Sequence, residues 1–256
     1  QHAESNNQYT DITSVAEALT PAKGYALWGD NAGFTAQYTG LLNTGNQVAN
    51  VFRTTAGENS GWNLVGNPYP SAIDWDAPTG WTKTNLGNAI YIESNGDFAS
   101  YINGAGTNNG SRYIAPGQGF FVNVTSTGTA VLAMTNDVRV HQTTDFFKSA
   151  DAAPMVKIRV SGNGYTDEAI VRFIPEATAG FDAAYDALKL FGYNDGSAQI
   201  YTLADVPLAI NSLQPSANLV PLGIRANTAG NYTLAATALS RLDKVTLEDL
   251  KTGEFT

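Results

Sequence analysis

Residues 61–81 read GWNLVGNPYPSAIDWDAPTGW and contain three of the four Trp residues of the chain. Residues 62–65 are typical of a short buried strand, and Pro68 and Pro70 prevent regular pairing from continuing beyond it. Proline has no backbone N–H to donate, and it favours extended geometry in the residue before it. We therefore expect a rigid loop on a sheet scaffold, where functional residues are often found. The side chains that this loop would carry are Tyr69, Asp74, Trp75, Asp76 and Trp81.

The composition is typical of an extracellular all-β protein rather than of a cytosolic enzyme. Of the 256 residues, 43% are hydrophobic and only 14% are charged, so Asn, Thr, Ser and Gly must cover much of the surface. The chain contains no Cys, which excludes disulfides and cysteine-based zinc sites. It begins at Gln1 without a signal peptide, and we expect a mature or excised piece of a larger protein.

The net charge and the charge distribution of the chain argue against nucleic acid and membranes as partners. The net charge is −9 and the pI is about 4.6. Binding to nucleic acid needs Lys and Arg on one face, so we expect no nucleic-acid partner. The sequence has no basic amphipathic segment and no apolar run of roughly 18–20 residues, so we expect no membrane insertion.

Short apolar segments recur at intervals of roughly 8–12 residues with turn signals between them, which is typical of β-sandwiches. The sequence predicts an all-β fold of two β-sandwich domains in tandem, of jelly-roll or Ig-like type. Charged and small residues mix in residues 142–154, and we place the boundary there, between domains of residues 1–145 and 155–256. We expect a short helix or ordered loop over residues 175–187.

The end of the sequence predicts an incomplete second domain. Residues 251–256 are typical of a hairpin turn followed by a strand that has only begun. The second sandwich would then lack its last strand and have an unpaired edge. Truncation of the chain would explain that edge, and so would a strand supplied by another protein.

Several motifs resemble one known kind of protein region. They include GWNLVGNPYPSAIDW at residues 61–75, TNDVRVH at residues 135–141, GNGYTDEAIVRF at residues 162–173 and VTLEDLKTGEFT at residues 245–256. These motifs resemble the region upstream of the C-terminal sorting domain in large surface proteins of Bacteroidetes. The resemblance implies type IX secretion and an extracellular or cell-surface location. Such regions accompany adhesins, glycoside hydrolases and peptidases, so the resemblance implies no particular activity and no catalytic residues.

The loop aromatics suggest carbohydrate binding. Sugars stack their C–H faces on flat aromatic rings while polar side chains bond the hydroxyls. We expect a non-catalytic module that binds extracellular polysaccharide or another cell-surface component. An alternative is a structural or adhesin subunit, or a spacer, which could assemble with a strand-donating protein partner at the C-terminal edge. The candidate ligand-binding residues are Trp28, Tyr69, Asp74, Trp75, Trp81, Tyr101 and Arg112.

Catalysis has little support in the sequence. Only His2 and His141 could serve a Ser-His-Asp triad, and no GxSxG motif supplies a nucleophile. Asp74 and Asp76 are too close in sequence to face each other across a sugar, as a glycosidase would require. We therefore expect no enzyme, with a hydrolase or a hydrolase accessory module as the weaker alternative.

Calcium is the one ion that the sequence suggests, although no cofactor is required for the expected function. Calcium prefers carboxylate and carbonyl oxygens, which are abundant in several Asp- and Asn-containing loops. No segment has the spacing of an EF-hand. The candidate metal ligands are Asp30, Asp74, Asp76 and Asp195.

Overall fold

A computed structural model describes residues 1–14, 16–27, 37, 39–57, 59–94, 96–141 and 153–256. In these ranges the regular structure is β-strand, apart from one 3-10 turn at Asn136–Val138. The prediction of an all-β fold is confirmed, and the strands form several sheets. The described residues contain no helix with the length and apolar character that crossing a bilayer requires.

The strands before residue 141 form several small antiparallel sheets. They are β1 (His2–Ala3), β2 (Gln8–Tyr9), β3 (Gln47–Arg53), β4 (Trp62–Gly66), β5 (Ala72–Asp74), β6 (Trp81–Thr84), β7 (Ile90–Ser94), β8 (Asp97–Ile102), β9 (Ala105–Thr107), β10 (Tyr113–Ile114), β11 (Gly119–Asn123), β12 (Gly128–Met134) and β13 (Arg139–Val140). The largest sheet has the order β4-β11-β7-β8-β9, and two smaller ones have the orders β3-β12-β6 and β10-β5-β13. A separate hairpin pairs β1 with β2.

An apolar core lies between these sheets. Strand β12 shows why: Ala130 and Leu132 are buried, whereas Val131 between them is 40% exposed. Alternate residues of a strand point to opposite faces, so this pattern gives the strand one apolar face. That face belongs to the same cluster as Phe120 and Val122 of β11. The five-stranded sheet and the β3-β12-β6 sheet therefore share one core.

The strands after residue 153 form one main sheet and a terminal hairpin. They are β14 (Met155–Gly162), β15 (Tyr165–Phe173), β16 (Ala187–Leu188), β17 (Gln199–Leu203), β18 (Pro207–Leu213), β19 (Leu222–Arg225), β20 (Thr233–Ser240), β21 (Glu248–Asp249) and β22 (Glu254–Phe255). The sheet order is β19-β17-β18-β15-β14-β20, with β16 paired to β18. Strands β15 and β18 are parallel. The terminal hairpin β21–β22 agrees with the turn and short strand expected there.

Strand pairing separates the chain into two groups. In the described residues, no strand before residue 141 pairs with a strand after residue 153. The proposed boundary at residues 142–154 lies mostly outside the described residues, because the description stops at residue 141 and resumes at residue 153. We call the strands before it the first sheet group and those after it the second sheet group.

Some expected elements differ from the structure. Residues 61–81 are not one loop after β4, because β5 lies within this stretch and β6 begins at its last residue. Strand β6 pairs with β12 over four residues, and this long-range pairing outweighs the local preference of Pro and Gly for loops. Residues 175–187 contain a turn and no helix. Before β3, Lys23 forms an isolated bridge to Val65 of β4.

Candidate functional site

Asp74 and Arg112, two of the predicted site residues, form a bidentate ion pair. Asp74 ends β5, and Arg112 immediately precedes β10, the strand that pairs with β5. The Nε and Nη2 groups of Arg112 donate to the two carboxylate oxygens of Asp74, each over 2.6 Å. Hydrogen bonding to Asp74 raises the pKa of the Arg112 guanidinium. The pair clamps two neighbouring segments together and occupies both oxygens that a sugar or a calcium ion would need.

Three of the predicted stacking residues are buried. Tyr69 is 2% exposed, Trp75 is 1% exposed and Tyr101 is 6% exposed. The indole N–H of Trp75 donates to the carbonyl of Asn88 over 2.7 Å, and the hydroxyl of Tyr101 donates to Asp76. The expectation that these rings form a sugar-binding platform is wrong, because their faces pack in the core and their polar tips are satisfied internally.

Trp81 is only half-buried, yet it does not form a platform with Trp75 either. The two ring centroids are 4.9 Å apart and the ring planes meet at 64°, so the rings are not coplanar. The side chain of Lys83 packs against the Trp75 ring. Its Nζ lies 3.4 Å from the ring centroid and donates to the Trp75 carbonyl over 2.9 Å. Burial lowers the pKa of Lys83 to about 8, and the nearby Asp76 and Asp74 carboxylates only partly oppose this shift.

Of the remaining predicted ligands, the two that the structure describes, Asp76 and Asp195, lie in different sheet groups. Trp28 and Asp30 lie outside the described residues. Asp195 is exposed in the second sheet group, where Asn227 donates to its carboxylate over 3.3 Å. Asp76 accepts the hydroxyl of Tyr101. Across the described part of the chain, no three His, Asp or Glu side chains are grouped in a way that could hold a metal ion.

Two further ionisable side chains, His141 and Asp186, have different surroundings. His141 is exposed at the end of β13. Asp186 is 1% exposed and accepts backbone N–H groups from Ser212 over 2.6 Å and from Asp182 over 2.7 Å. Burial raises the pKa of Asp186 to about 6. These backbone bonds give Asp186 a role in holding the segment before β16 against β18.

Sequence reasoning missed a buried arginine where the two sheet groups meet. Arg172 of β15 is 4% exposed. Its guanidinium donates to the carbonyls of Ile102 and Asn103 in the first sheet group, over 3.3 Å and 3.0 Å. It also donates to the Tyr185 carbonyl over 2.6 Å and to the Ser212 hydroxyl over 2.7 Å. One side chain therefore connects the C-terminal end of β8 to three segments of the second sheet group.

A second buried contact crosses between the groups near the start of β15. The Lys189–Asp167 ion pair is almost fully buried, with 4% and 2% of the side chains exposed. Asn108, from the first sheet group, donates to Asp167 over 2.7 Å through its side chain and to Glu168 over 2.9 Å through its backbone. Charged groups removed from water in this way require partners, and these partners come from both groups.

Apolar side chains complete this contact. Trp62, Tyr91 and Phe121 of the first sheet group share one cluster with Ile170 and Ile210 of the second. We call the whole contact, from this cluster to the Arg172 and Asp167 hydrogen bonds, the junction. The signal in the sequence was a charged residue inside an apolar run, AIVRFI at residues 169–174.

The fold and the junction define an all-β protein of two sheet groups joined by a buried contact. A family model described as a domain of unknown function (DUF8693) matches residues 1–99 and residues 81–254. The chain belongs to this family. No curated protein and no solved structure matched the chain.

Proposed function

We propose that the chain is a non-catalytic structural module of a secreted bacterial surface protein, in which it acts as a rigid spacer. Its two sheet groups would be two β-sandwiches in tandem, held in a fixed orientation. The observation that carries this proposal is the buried Arg172 guanidinium, which bonds carbonyl groups of both sheet groups.

The packing of both groups is consistent with sandwiches. In the first group, β11 and β12 lie in different sheets and contribute to one core. In the second group, Ile200 of β17 packs with Val160 and Ala169, although β18 lies between β17 and β15 in the sheet order. The backbone N–H of Ile200 donates to Asp167 of β15 over 2.7 Å. This contact requires the sheet to fold over itself, as the two layers of a sandwich do.

The junction argues for a fixed orientation. Domains joined by a small, wet contact are expected to move relative to each other, whereas a large apolar contact prevents such motion. Here the apolar cluster is supplemented by a buried cation, and burial lowers the pKa of Arg172. Opening the junction would leave the carbonyls of Ile102 and Asn103 without this donor.

Location at the cell surface is supported by the low content of charged residues and by the resemblance to the region upstream of a type IX sorting domain. Binding of polysaccharide through Tyr69, Trp75 and Tyr101 has no support, because these rings are buried. A spacer needs no catalytic group, and the ion pairs described above serve packing rather than chemistry.

Small-angle X-ray scattering of the wild type and of Arg172→Met tests the spacer. We expect a single compact particle for the wild type and a broader range of dimensions for Arg172→Met, because the junction loses its charged donor. Exposed Arg225, changed to Met, is the matched control and should scatter like the wild type. A wild type that already samples many dimensions would contradict the proposal.

The open edge of β20 favours a second candidate function, assembly by strand pairing between copies of this chain. Within the described part of the chain, strand β20 pairs only with β14, and its eight residues, TLAATALS, include no charge and no proline. Natural edge strands usually carry such residues to block pairing with other chains. Among the described residues, no further backbone partner of β20 is present.

Sedimentation analysis over a wide concentration range tests this second candidate. We expect the wild type to self-associate and Ala235→Glu to weaken that association. The new carboxylate would lie at the edge opposite Arg159, so the variant should fold. A wild type that stays monomeric at all concentrations would exclude pairing between copies.

A further inference from the structure

Two exposed aromatic rings lie in a different place from those that the sequence suggests. Tyr9 ends β2 and is 54% exposed, and Tyr193 follows β16 and is 66% exposed. The exposed carboxylate of Glu93, on β7, accepts a hydrogen bond from the Tyr193 hydroxyl. Tyr9 and Glu93 belong to the first sheet group and Tyr193 to the second, so this surface crosses the junction.

Tyr193 is held in a fixed position. Its hydroxyl donates to Oε1 of Glu93 over 2.9 Å, and its backbone N–H donates to the carbonyl of Gly96 over 2.9 Å. Gly96 in turn donates its N–H to the same Glu93 oxygen over 2.7 Å. A Cβ at Gly96 would lie 3.4 Å from Cε2 of the Tyr193 ring, so the ring lies alongside this glycine. A ring anchored in this way loses little further freedom when a ligand stacks on it.

Contacts with other aromatic rings hold the Tyr9 side chain in position. Its ring meets the His2 ring edge-on at 5.4 Å, and His2 meets the Phe121 ring at 5.3 Å. Phe121 in turn meets the Phe98 ring at 6.1 Å, and Phe98 lies opposite Glu93 in the pairing of β7 with β8, so a chain of ring contacts links Tyr9 to Glu93. The Tyr9 and Tyr193 rings are therefore both partly exposed and both held in position by neighbouring residues.

We propose that Tyr9, Glu93 and Tyr193 form a binding surface for a neutral polysaccharide. The rings offer apolar faces to the C–H groups of sugars, and the Glu93 carboxylate accepts hydrogen bonds from hydroxyls. An anionic ligand is disfavoured by this carboxylate and by the net charge of −9. The inference rests on the closed junction, because Tyr193 lies across it from Tyr9 and Glu93, but it does not require that the chain act as a spacer.

Affinity electrophoresis of the full chain tests this surface, in native gels that contain hydroxyethylcellulose, arabinoxylan or galactomannan. We expect retardation of the wild type in at least one gel. Tyr9→Ala and Tyr193→Ala should each weaken binding by about tenfold, as expected when a stacked ring is removed. Phe255→Ala is the matched control, because Phe255 is a 68% exposed ring on the terminal hairpin.

Two further variants separate stacking from hydrogen bonding. Tyr193→Phe keeps the ring and should retain most of the affinity, whereas Glu93→Gln should weaken binding without unfolding the turn, since its amide oxygen can still accept from Gly96. The proposal is overturned if no gel retards the wild type. It is also overturned if the two Tyr→Ala variants migrate like the wild type, or if Phe255→Ala loses as much affinity as they do.

Discussion

Raising the pH should stabilise the folded chain through Lys83. Its Nζ is packed against the Trp75 ring and bonded to the Trp75 carbonyl. Burial lowers its pKa to about 8, against a model-peptide value near 10.4. Between these two values the unfolded chain binds more protons than the folded chain. Stability therefore increases with pH across this window, and the gain is lost again as the pH falls through the folded pKa.

The magnitude follows from linkage. One proton of difference changes the free energy of unfolding by about 1.4 kcal/mol per pH unit. From about pH 7 to about pH 9.5, Lys83 alone should add about 2 kcal/mol. Attraction between the ammonium and the faces of Trp75 and Trp81 favours the charged form and reduces this gain, to about 1 kcal/mol at the lower end.

Urea unfolding followed by Trp fluorescence measures this effect. The quantity to compare is the free energy of unfolding of the wild type minus that of Lys83→Met, at a series of pH values. The subtraction removes the contribution of the buried tyrosines, which titrate at higher pH. We expect the difference to become more favourable to the wild type as the pH rises. A difference that is flat or moves the other way would refute the assignment of a depressed pKa to Lys83.

Two further variants test the polar contacts around the core. Arg112→Met should lower the free energy of unfolding by about 2 kcal/mol, because it leaves the buried Asp74 carboxylate without its bidentate donor, and urea titration measures the loss. A loss within experimental error would show that the pair contributes nothing. Asp186→Asn should remove part of the pH dependence of the free energy of unfolding. Because the pKa of Asp186 is raised to about 6, the folded chain binds more protons than the unfolded chain. The stability that Asp186 contributes is therefore largest at low pH and is lost as the pH rises through about 6. An unchanged pH profile between about pH 4 and about pH 7 would contradict this.

The strands were largely predictable because their signals are local. Strand β17 has the boundaries that its apolar run indicates, Gln199–Leu203, and β12 shows the alternation expected of a half-buried strand. Strand β6 was not predictable in this way. Its residues follow a Pro- and Gly-rich stretch, and they are extended because β12 supplies hydrogen-bond partners from about fifty residues further along the chain.

The candidate site was less predictable because exposure depends on distant parts of the chain. Trp75 and Tyr101 have the polar neighbours of a sugar-binding loop, but their own polar groups bond Asn88 and Asp76 inside the protein. Tyr193 has no comparable signal in the sequence, since Glu93, its partner, lies a hundred residues earlier. Arg172 could have been singled out as a charge within an apolar strand, although its acceptors could not.

Calorimetry of the wild-type chain measures whether the two sheet groups unfold as one rigid unit. If the junction couples the groups, they should unfold in one transition whose calorimetric and van't Hoff enthalpies agree. Arg172→Met should lower the free energy of unfolding by about 3 kcal/mol and begin to separate the transitions, because several carbonyls lose a charged donor. Two independent transitions in the wild type, or an Arg172→Met thermogram identical to it, would contradict the account.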